Sequence, residues 1–178
     1  PAGVCGSGVI TAVAELLRAG ILSKSGSFNA GCGSPCLRPG ESGVLECGIV
    51  PAGPRRNRRA IALTQADVRA VQLAKGALRT RIDLLCRENG MPRPSRILLA
   101  GAFGSFINRL DALTLGMFPE MEPDAIEVVG NAAGAGAVLA LLRAACFTQA
   151  REMARAARVL DLAAHPDFQN TFISALSF

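Results

Sequence analysis

Apolar residues recur at helical spacing along much of this sequence, and the longest such segment runs from Gln65 to Glu88. Thr64 and Asp67 at its start are typical of a capping box, and Gly90 stops it. The pattern therefore predicts one long helix. Further helices are predicted over 7–19, over 110–116, from 131 to about 146, from Thr148 onward and over 166–178.

Short, mostly apolar runs between these segments predict β-strands. The predicted strands cover 44–50, 60–63, 96–100 and 126–129, with a further candidate over 159–162. The run that ends at Ala100 suits a buried parallel strand because both of its faces are apolar. Helices and strands alternate through glycine turns, so the sequence predicts an α/β fold with a mixed sheet flanked by helices.

One charged side chain interrupts the apolar row of the long helix. Lys75 occupies a position where the helical period predicts an apolar residue, and Gln72 and Arg79 lie on the same side of the helix. Local rules that are broken inside a strong pattern tend to mark functional positions. These three residues are therefore candidates for a functional site.

Composition and charge argue against a nucleic-acid-binding protein and a membrane protein. Half of the 178 residues are apolar, which is enough for one sizeable core, and the net charge is +5. The clearest basic run is Arg55, Arg56, Arg58 and Arg59, which has no aromatic neighbours. It predicts a solvated loop, with contact to a polyanion as the alternative, so no nucleic-acid partner is expected. The sequence shows no apolar stretch of about 18 residues and no export leader, so a cytoplasmic protein without a membrane partner is expected.

Three of the six cysteines share a Gly- and Pro-rich stretch: Cys32, Cys36 and Cys47. We interpret them as incidental loop cysteines, with a metal or redox role as the alternative. Their spacing lacks the paired two-residue separation of zinc ribbons, and no His is near. Cys86 and Cys146 fall in helical patterns and are predicted to be buried thiols.

Two predicted strands end in small residues. Gly101 and Gly104 follow the first strand, and a backbone without Cβ lets a flat ligand approach. Asn131 and Gly134 follow the second strand at the start of a helix, whose N-terminus favours anions. Ligands of open α/β sheets bind outside the carboxyl ends of the strands, so both turns are candidate sites. For Gly134 and Gly136 we favour close packing of the helix, with ligand approach as the alternative.

Common nucleotide fingerprints are missing from the sequence. Gly134-Ala135-Gly136 is followed by Leu139 where Gly-x-Gly-x-x-Gly requires a glycine, and no Gly-Lys-Ser/Thr occurs. A Rossmann oxidoreductase and a P-loop NTPase are both poor interpretations.

The order of these motifs resembles the second half of the superfamily of actin, sugar kinases and the 70-kDa heat-shock chaperones. A closer resemblance, over nearly the whole chain, is to the reductive activators of corrinoid proteins. It is carried by five segments: Pro1–Gly8 (PAGVCGSG), Leu63–Arg69 (LTQADVR), Gln72–Lys75 (QLAK), Leu99–Gly104 (LAGAFG) and Val129–Gly136 (VGNAAGAG).

The resemblance implies an RNase H-like, actin-type ATPase lobe over residues 1–178. Within it we expect a loop-rich insertion over 23–59, an adenosine-binding core over 60–146 and a C-terminal helical closure over 147–178. The implied ribose and adenine contacts are Gly101, Ala102, Phe103 and Gly104. Gln72, Lys75 and Arg79 would close over base and sugar, and Asn131 and Gly134 would lie at the hinge with the other lobe.

The resemblance also implies a role for a longer parent protein. Such activators use ATP with Mg²⁺ to reduce the Co(II) corrinoid protein of a methyltransferase system to Co(I), and they carry a [2Fe–2S] cluster in an N-terminal ferredoxin domain. The expected partners are that corrinoid protein, the remaining lobe and the ferredoxin domain. This chain contains no Asp-x-Gly-Thr phosphate loop and no ferredoxin cysteine spacing. We therefore expect the lobe alone to be inactive, with no catalytic or metal-binding residue.

Two other interpretations remain from the sequence. One is a lobe of a sugar or acid kinase of the same superfamily. The other is a non-catalytic interaction module with a structural metal held by Cys32, Cys36 and Cys47.

Overall fold

A computed structural model describes residues 3–40, 43–52 and 60–178, apart from the side chain of Phe103. The basic run from Arg55 to Arg59 lies outside the described residues, so its predicted role as a solvated loop stays a prediction. The described α-helices are α1 (Gly6–Arg18), α2 (Gln65–Glu88), α3 (Gly101–Phe106), α4 (Arg109–Thr114), α5 (Ala132–Leu142), α6 (Ala144–Ala156) and α7 (Phe168–Ser174). The described strands are β1 (Leu37–Pro39), β2 (Leu45–Val50), β3 (Ile61–Thr64), β4 (Ile97–Ala100) and β5 (Ile126–Gly130).

The strands form two sheets within the described residues. β1, β2 and β3 make an antiparallel sheet in which Leu37 faces Cys47 and Cys47 faces Leu63. β4 and β5 pair in parallel, with Leu99 opposite Val128. The connection between β4 and β5 carries α3 and α4, as a parallel pair requires a crossover.

The predicted capping box starts the long helix. The backbone N–H of Asp67 donates to the hydroxyl of Thr64 at 3.2 Å, and the carboxylate of Asp67 accepts from the backbone N–H of Thr64 at 2.8 Å. These bonds satisfy two donors that an uncapped helix end would leave free. Helix α2 begins and ends as the sequence predicts.

The hydrophobic core lies between the long helix, α1 and the parallel pair. Its fully buried members include Val13 of α1, Val68 of α2, Leu115 after α4 and Ile126 of β5. Each of these elements contributes buried apolar side chains to this core.

A buried carboxylate joins α1 to α4 beside this core. Asp111 is 2% exposed and accepts from the hydroxyl of Thr11 at 2.6 Å and from the guanidinium of Arg18 at 2.8 Å. Arg18 also donates to the hydroxyl of Thr114 at 2.7 Å. The charge of Asp111 is thus paired and hydrogen-bonded, as a buried carboxylate must be.

Several predicted elements differ in the structure. Residues 101–104 were expected to form a turn but begin α3, because Gly101 alone turns the chain after β4. The helix predicted to about 146 breaks at Arg143, whose backbone is extended, so α6 starts at Ala144 and Thr148 lies within α6 instead of capping it. Helix α6 therefore spans the predicted boundary between 146 and 147.

Three further expectations about strands and burial need correction. Residues 159–162 form no strand, and Val159 is 96% exposed. Strand β4 is only half-buried, because Leu98 points to solvent and is 55% exposed. Cys146 is half-buried, whereas Cys86 is buried as predicted.

We expect Asp111→Asn to destabilise the chain by on the order of 1–3 kcal/mol, because the substitution leaves the donors of Arg18 and Thr11 without a charged acceptor. Urea denaturation monitored by circular dichroism measures this loss. Asp124→Asn is the matched control, since Asp124 is fully exposed and 3.9 Å from Arg109, and it should leave stability unchanged. Equal stability of the two variants would contradict the structural role of Asp111.

Candidate nucleotide-binding edge

The carboxyl ends of β4 and β5 lie at the same edge of the parallel pair. Gly101 follows β4 with φ +85°, and β5 ends at Gly130 with φ +63°. Both values lie in the left-handed region, which glycine adopts without a steric cost. A Cβ added at either glycine would meet nothing within 4 Å. The backbone at this edge is therefore turned sharply and is open on its outer side.

The other two glycines predicted at this edge have packing roles. A Cβ on Gly104 would lie 3.0 Å from the Cβ of Leu99, so this buried glycine lets α3 fold back onto β4. A Cβ on Gly134 would lie 2.4 Å from the side-chain nitrogen of Asn131. Asn131 caps α5 by accepting from the backbone N–H of Gly134 at 2.9 Å. Gly134 thus leaves room for the cap at this edge.

Ala102 is exposed in the first turn of α3, next to Gly101. The backbone of Phe103 belongs to the same turn. The structure therefore brings together the residues predicted at the ends of the two strands, Gly101 to Gly104 with Asn131 and Gly134. Their contact with ribose and adenine stays a prediction.

Lys75 and Gln72 face another part of the molecule. Lys75 is 2% exposed, its ammonium donates to the backbone carbonyl of Ser177, and it lies 5.5 Å from the ring centroid of Phe178. The amide nitrogen of Gln72 donates to the carbonyl of Ser25 at 3.1 Å and to that of Leu176 at 3.0 Å. Both side chains therefore fasten α2 to the C-terminal segment.

Arg79 lines a cleft of about 490 Å³ between α2 and α7, together with Lys75. Its guanidinium donates to the carboxylate of Asp83 at 2.9 Å and to the carbonyl of Phe118 at 3.0 Å. Neither Gly101 nor Asn131 lines this cleft. The structure thus separates the predicted site residues of α2 from those at the carboxyl edge of the strands.

The partners of Lys75 and Gln72 could not be found from the sequence. They are backbone carbonyls that lie up to 104 residues away along the chain, and a carbonyl carries no residue-specific signal. Gly116 was also missed. It has φ +69°, and a Cβ there would lie 3.6 Å from the ammonium of Lys75.

Burial and, to a smaller extent, the nearby charge of Arg79 lower the pKa of Lys75 from 10.5 to about 8. A buried ammonium loses its hydration, which disfavours the charged form. The hydrogen bond to Ser177 and the ring of Phe178 offset part of this cost.

Neither a metal-ligand cluster nor a membrane-spanning helix occurs among the described residues. No group of three or more His, Cys, Asp or Glu side chains among them is placed to hold a metal ion. The interpretation as a module with a three-cysteine metal site is therefore not supported. Among the described helices, none is long and apolar enough to cross a membrane.

Comparison with known proteins identifies the family. The sequence matches, over residues 1–178, the family described as the C-terminal domain of RACo, the ASKHA domain. This chain belongs to that family. The match confirms the predicted resemblance to the C-terminal lobe of the corrinoid activators.

Two relatives of this ASKHA domain agree with the assignment. It is 34% identical over 186 residues to the corrinoid activation enzyme RamQ of Eubacterium limosum, covering all of this chain and 31% of the relative. The solved structure of a reductive activator for corrinoid, iron-sulfur protein superposes with a TM-score of 0.87 at 33% identity, covering all of this chain and 28% of that one. The domain thus spans about a third of the length of these relatives, and the predicted α/β, actin-type fold class is confirmed.

The lowered pKa of Lys75 predicts a pH-dependent stability. Between about pH 8 and 10.5 the unfolded chain holds more protons than the folded one, so the free energy of unfolding rises as the pH increases through this window. The burial cost, on the order of 3 kcal/mol, is fully present below about pH 8. Lys75→Met should remove this rise.

Urea unfolding of wild type and Lys75→Met across that pH window measures the effect. Lys24→Met is the matched control, because Lys24 is exposed and should leave the rise in place. A rise as steep in Lys75→Met as in wild type would show that the ammonium of Lys75 is not the titrating group.

Proposed function

We propose that this domain is the nucleotide-binding lobe of an ATP-dependent reductive activator that returns the Co(II) corrinoid protein of a methyltransferase system to Co(I). The observation that carries this proposal is the open backbone at Gly101, which lies beside the cap of α5 at the carboxyl edge of two parallel strands. Ligands of α/β sheets bind at such an edge.

The residues present fit the adenosine end of ATP. A ribose or a purine ring can lie against the backbone of Gly101, where no Cβ and no neighbouring atom fills the space. The chain has no Asp-x-Gly-Thr segment for the phosphates, and its described part has no carboxylate cluster for Mg²⁺. We therefore propose that the other lobe of the parent protein supplies the phosphate and Mg²⁺ contacts.

A second lobe also accounts for the exposed apolar surface of α5. Leu141 is 86% exposed and Leu142 is 76% exposed, and α5 has no buried residue within the described chain. Apolar side chains in such numbers mark a surface that another part of a protein covers. Asn131 caps this helix, which agrees with its proposed place at the hinge between lobes.

The corrinoid partner is inferred from the relatives. One of them is named a corrinoid activation enzyme and the other a reductive activator for corrinoid, iron-sulfur protein. We propose that the parent protein passes one electron from a [2Fe–2S] ferredoxin domain to Co(II). ATP binding and hydrolysis would supply free energy for that transfer when the two lobes close.

The nucleotide contacts predicted for Gln72, Lys75 and Arg79 remain a prediction. In this structure Gln72 and Lys75 bind backbone carbonyls of the chain itself. A change in lobe arrangement would have to release them before they meet a base or a sugar.

In the parent protein, we expect Gly101→Val to abolish ATP binding, because its side chain would fill the space at the open edge. Titration calorimetry with ATP and Mg²⁺ measures the affinity. The substitution also strains a left-handed residue by roughly 1–2 kcal/mol, so the control must carry the same strain. Gly90→Val meets that need, since Gly90 has φ +65° and open surroundings at the end of α2.

The two variants should lose similar stability, and only Gly101→Val should lose ATP. If the folded Gly101→Val variant binds ATP normally, Gly101 is needed only for the turn after β4. The proposal that the nucleotide binds at this edge would then be wrong.

The reductive step has its own expected outcome. Mixing the parent protein with a reductant, ATP, Mg²⁺ and the corrinoid protein of its pathway should convert the Co(II) absorption bands to those of Co(I). Omitting ATP should abolish the conversion, because ATP is proposed to drive it. Equal formation of Co(I) without ATP would contradict the proposed function and leave the family assignment intact.

A further inference from the structure

Two cysteines of the antiparallel sheet lie in direct contact. The thiol of Cys47 in β2 is 2.8 Å from the sulfur of Cys36, which directly precedes β1. This separation is shorter than the van der Waals contact of two sulfur atoms. A disulfide bond of about 2.05 Å would require the sulfur atoms to approach by less than about 1 Å.

The backbone holds the two cysteines in this position. The N–H of Gly48 donates to the carbonyl of Cys36 at 2.8 Å, and Leu37 pairs with Cys47 in the sheet register. The contact is therefore fixed by the pairing of β1 with β2 and does not depend on a side-chain rotation alone. Sequence spacing gave no sign of it, because the pairing of β1 was not predicted.

The two thiols differ in accessibility. Cys47 is 3% exposed, whereas Cys36 is half-buried and its sulfur lies 3.1 Å from the hydroxyl of Ser34. Burial and, to a smaller extent, the hydrogen bond with Cys36 raise the pKa of Cys47 to about 12. Cys47 thus stays protonated near neutral pH, and Cys36 is the thiol that a small reagent reaches first.

We propose that Cys36 and Cys47 form a reversible dithiol–disulfide site that reacts with low-molecular-weight disulfides such as glutathione disulfide. This site is independent of the proposed nucleotide edge and of corrinoid activation. Neither cysteine belongs to the carboxyl edge of β4 and β5.

The reaction consists of two exchange steps. The thiolate of Cys36 attacks one sulfur of glutathione disulfide and forms a mixed disulfide, and the released glutathione thiolate takes up a proton. The sulfur of Cys47 then loses its proton to solvent and attacks the sulfur of Cys36, which expels the second glutathione. Two protein thiols are oxidised, and one glutathione disulfide is reduced to two glutathione molecules.

The oxidised pair would lock β1 to β2. The new bond closes a short loop in the unfolded chain, so the melting temperature of the oxidised protein should rise by several degrees. Reduction with dithiothreitol should reverse the rise.

The test uses the 178-residue chain, reduced and then incubated anaerobically with excess glutathione disulfide. In the expected product Cys36 and Cys47 have lost two hydrogens and resist alkylation under denaturing conditions, and a glutathione adduct on the exposed Cys5 appears as a separate added mass. Digestion with trypsin and a glutamate-specific protease should then link the peptide 25–41 to the peptide 47–55, with tandem spectra placing the bond at Cys36.

Single substitutions distinguish a bond between Cys36 and Cys47 from one that involves Cys32. Cys32→Ser should leave the cross-link and the melting shift unchanged, whereas Cys47→Ser should abolish both and retain a glutathione adduct on Cys36. Peptide mapping of the wild-type protein decides the question even where a variant fails to fold. Free thiols at both Cys36 and Cys47 after incubation would overturn the proposal, and so would a bond that involves Cys32.

Discussion

The buried ammonium of Lys75 needs an acceptor, and meeting that need determines how the C-terminal segment packs on α2. The backbone carbonyls around Lys75 bond within the helix, so the acceptor of its ammonium comes from another segment. The carbonyl of Ser177 and the ring of Phe178 fill this role, and Gln72 binds the neighbouring carbonyl of Leu176. Helix α7 is therefore held over α2, and the cleft that Arg79 lines lies between them. Lys75, the side chain that interrupts the apolar row of α2, thus first stabilises the packing of the C-terminal segment on α2.

The features that the sequence predicted well are those whose determinants lie close together along the chain. The start of α2 depends on Thr64 and Asp67, which are three residues apart, and the parallel strands depend on continuous apolar runs. The features that it missed depend on distant partners. Strand β1 contains Pro39 and has no alternation of its own, and it exists because β2 offers it a partner. The interruption between α5 and α6 at Arg143 was missed because no Gly or Pro at this position indicates a helix end.

The same reasoning separates the candidate site into two parts. Gly101 and Asn131 could be found because small and capping residues after apolar strands are local signals, and the structure places them at one edge. The interruption of the apolar row by Lys75 was also recognisable in the sequence. Its structural role, however, depends on the carbonyl of Ser177, which lies 102 residues away along the chain. A residue that interrupts a regular apolar pattern therefore marks an unusual position. Only the tertiary contacts show whether that residue binds a ligand or stabilises the fold.

The arrangement of the edge bears on how such a lobe would act. The described residues at this edge offer an open backbone and a helix cap. Under the proposed function, they would position a nucleotide and would not break its bonds. Phosphoryl transfer depends on positioning and on charge stabilisation around Mg²⁺. A lobe of this kind would contribute by binding ATP differently in the open and closed forms of the parent protein, since a ligand shifts a conformational equilibrium only by its differential affinity. The exposed leucines at the end of α5 would then be covered to different extents in those two forms. In this proposed mechanism, lobe closure is what couples the nucleotide edge to a bound corrinoid protein.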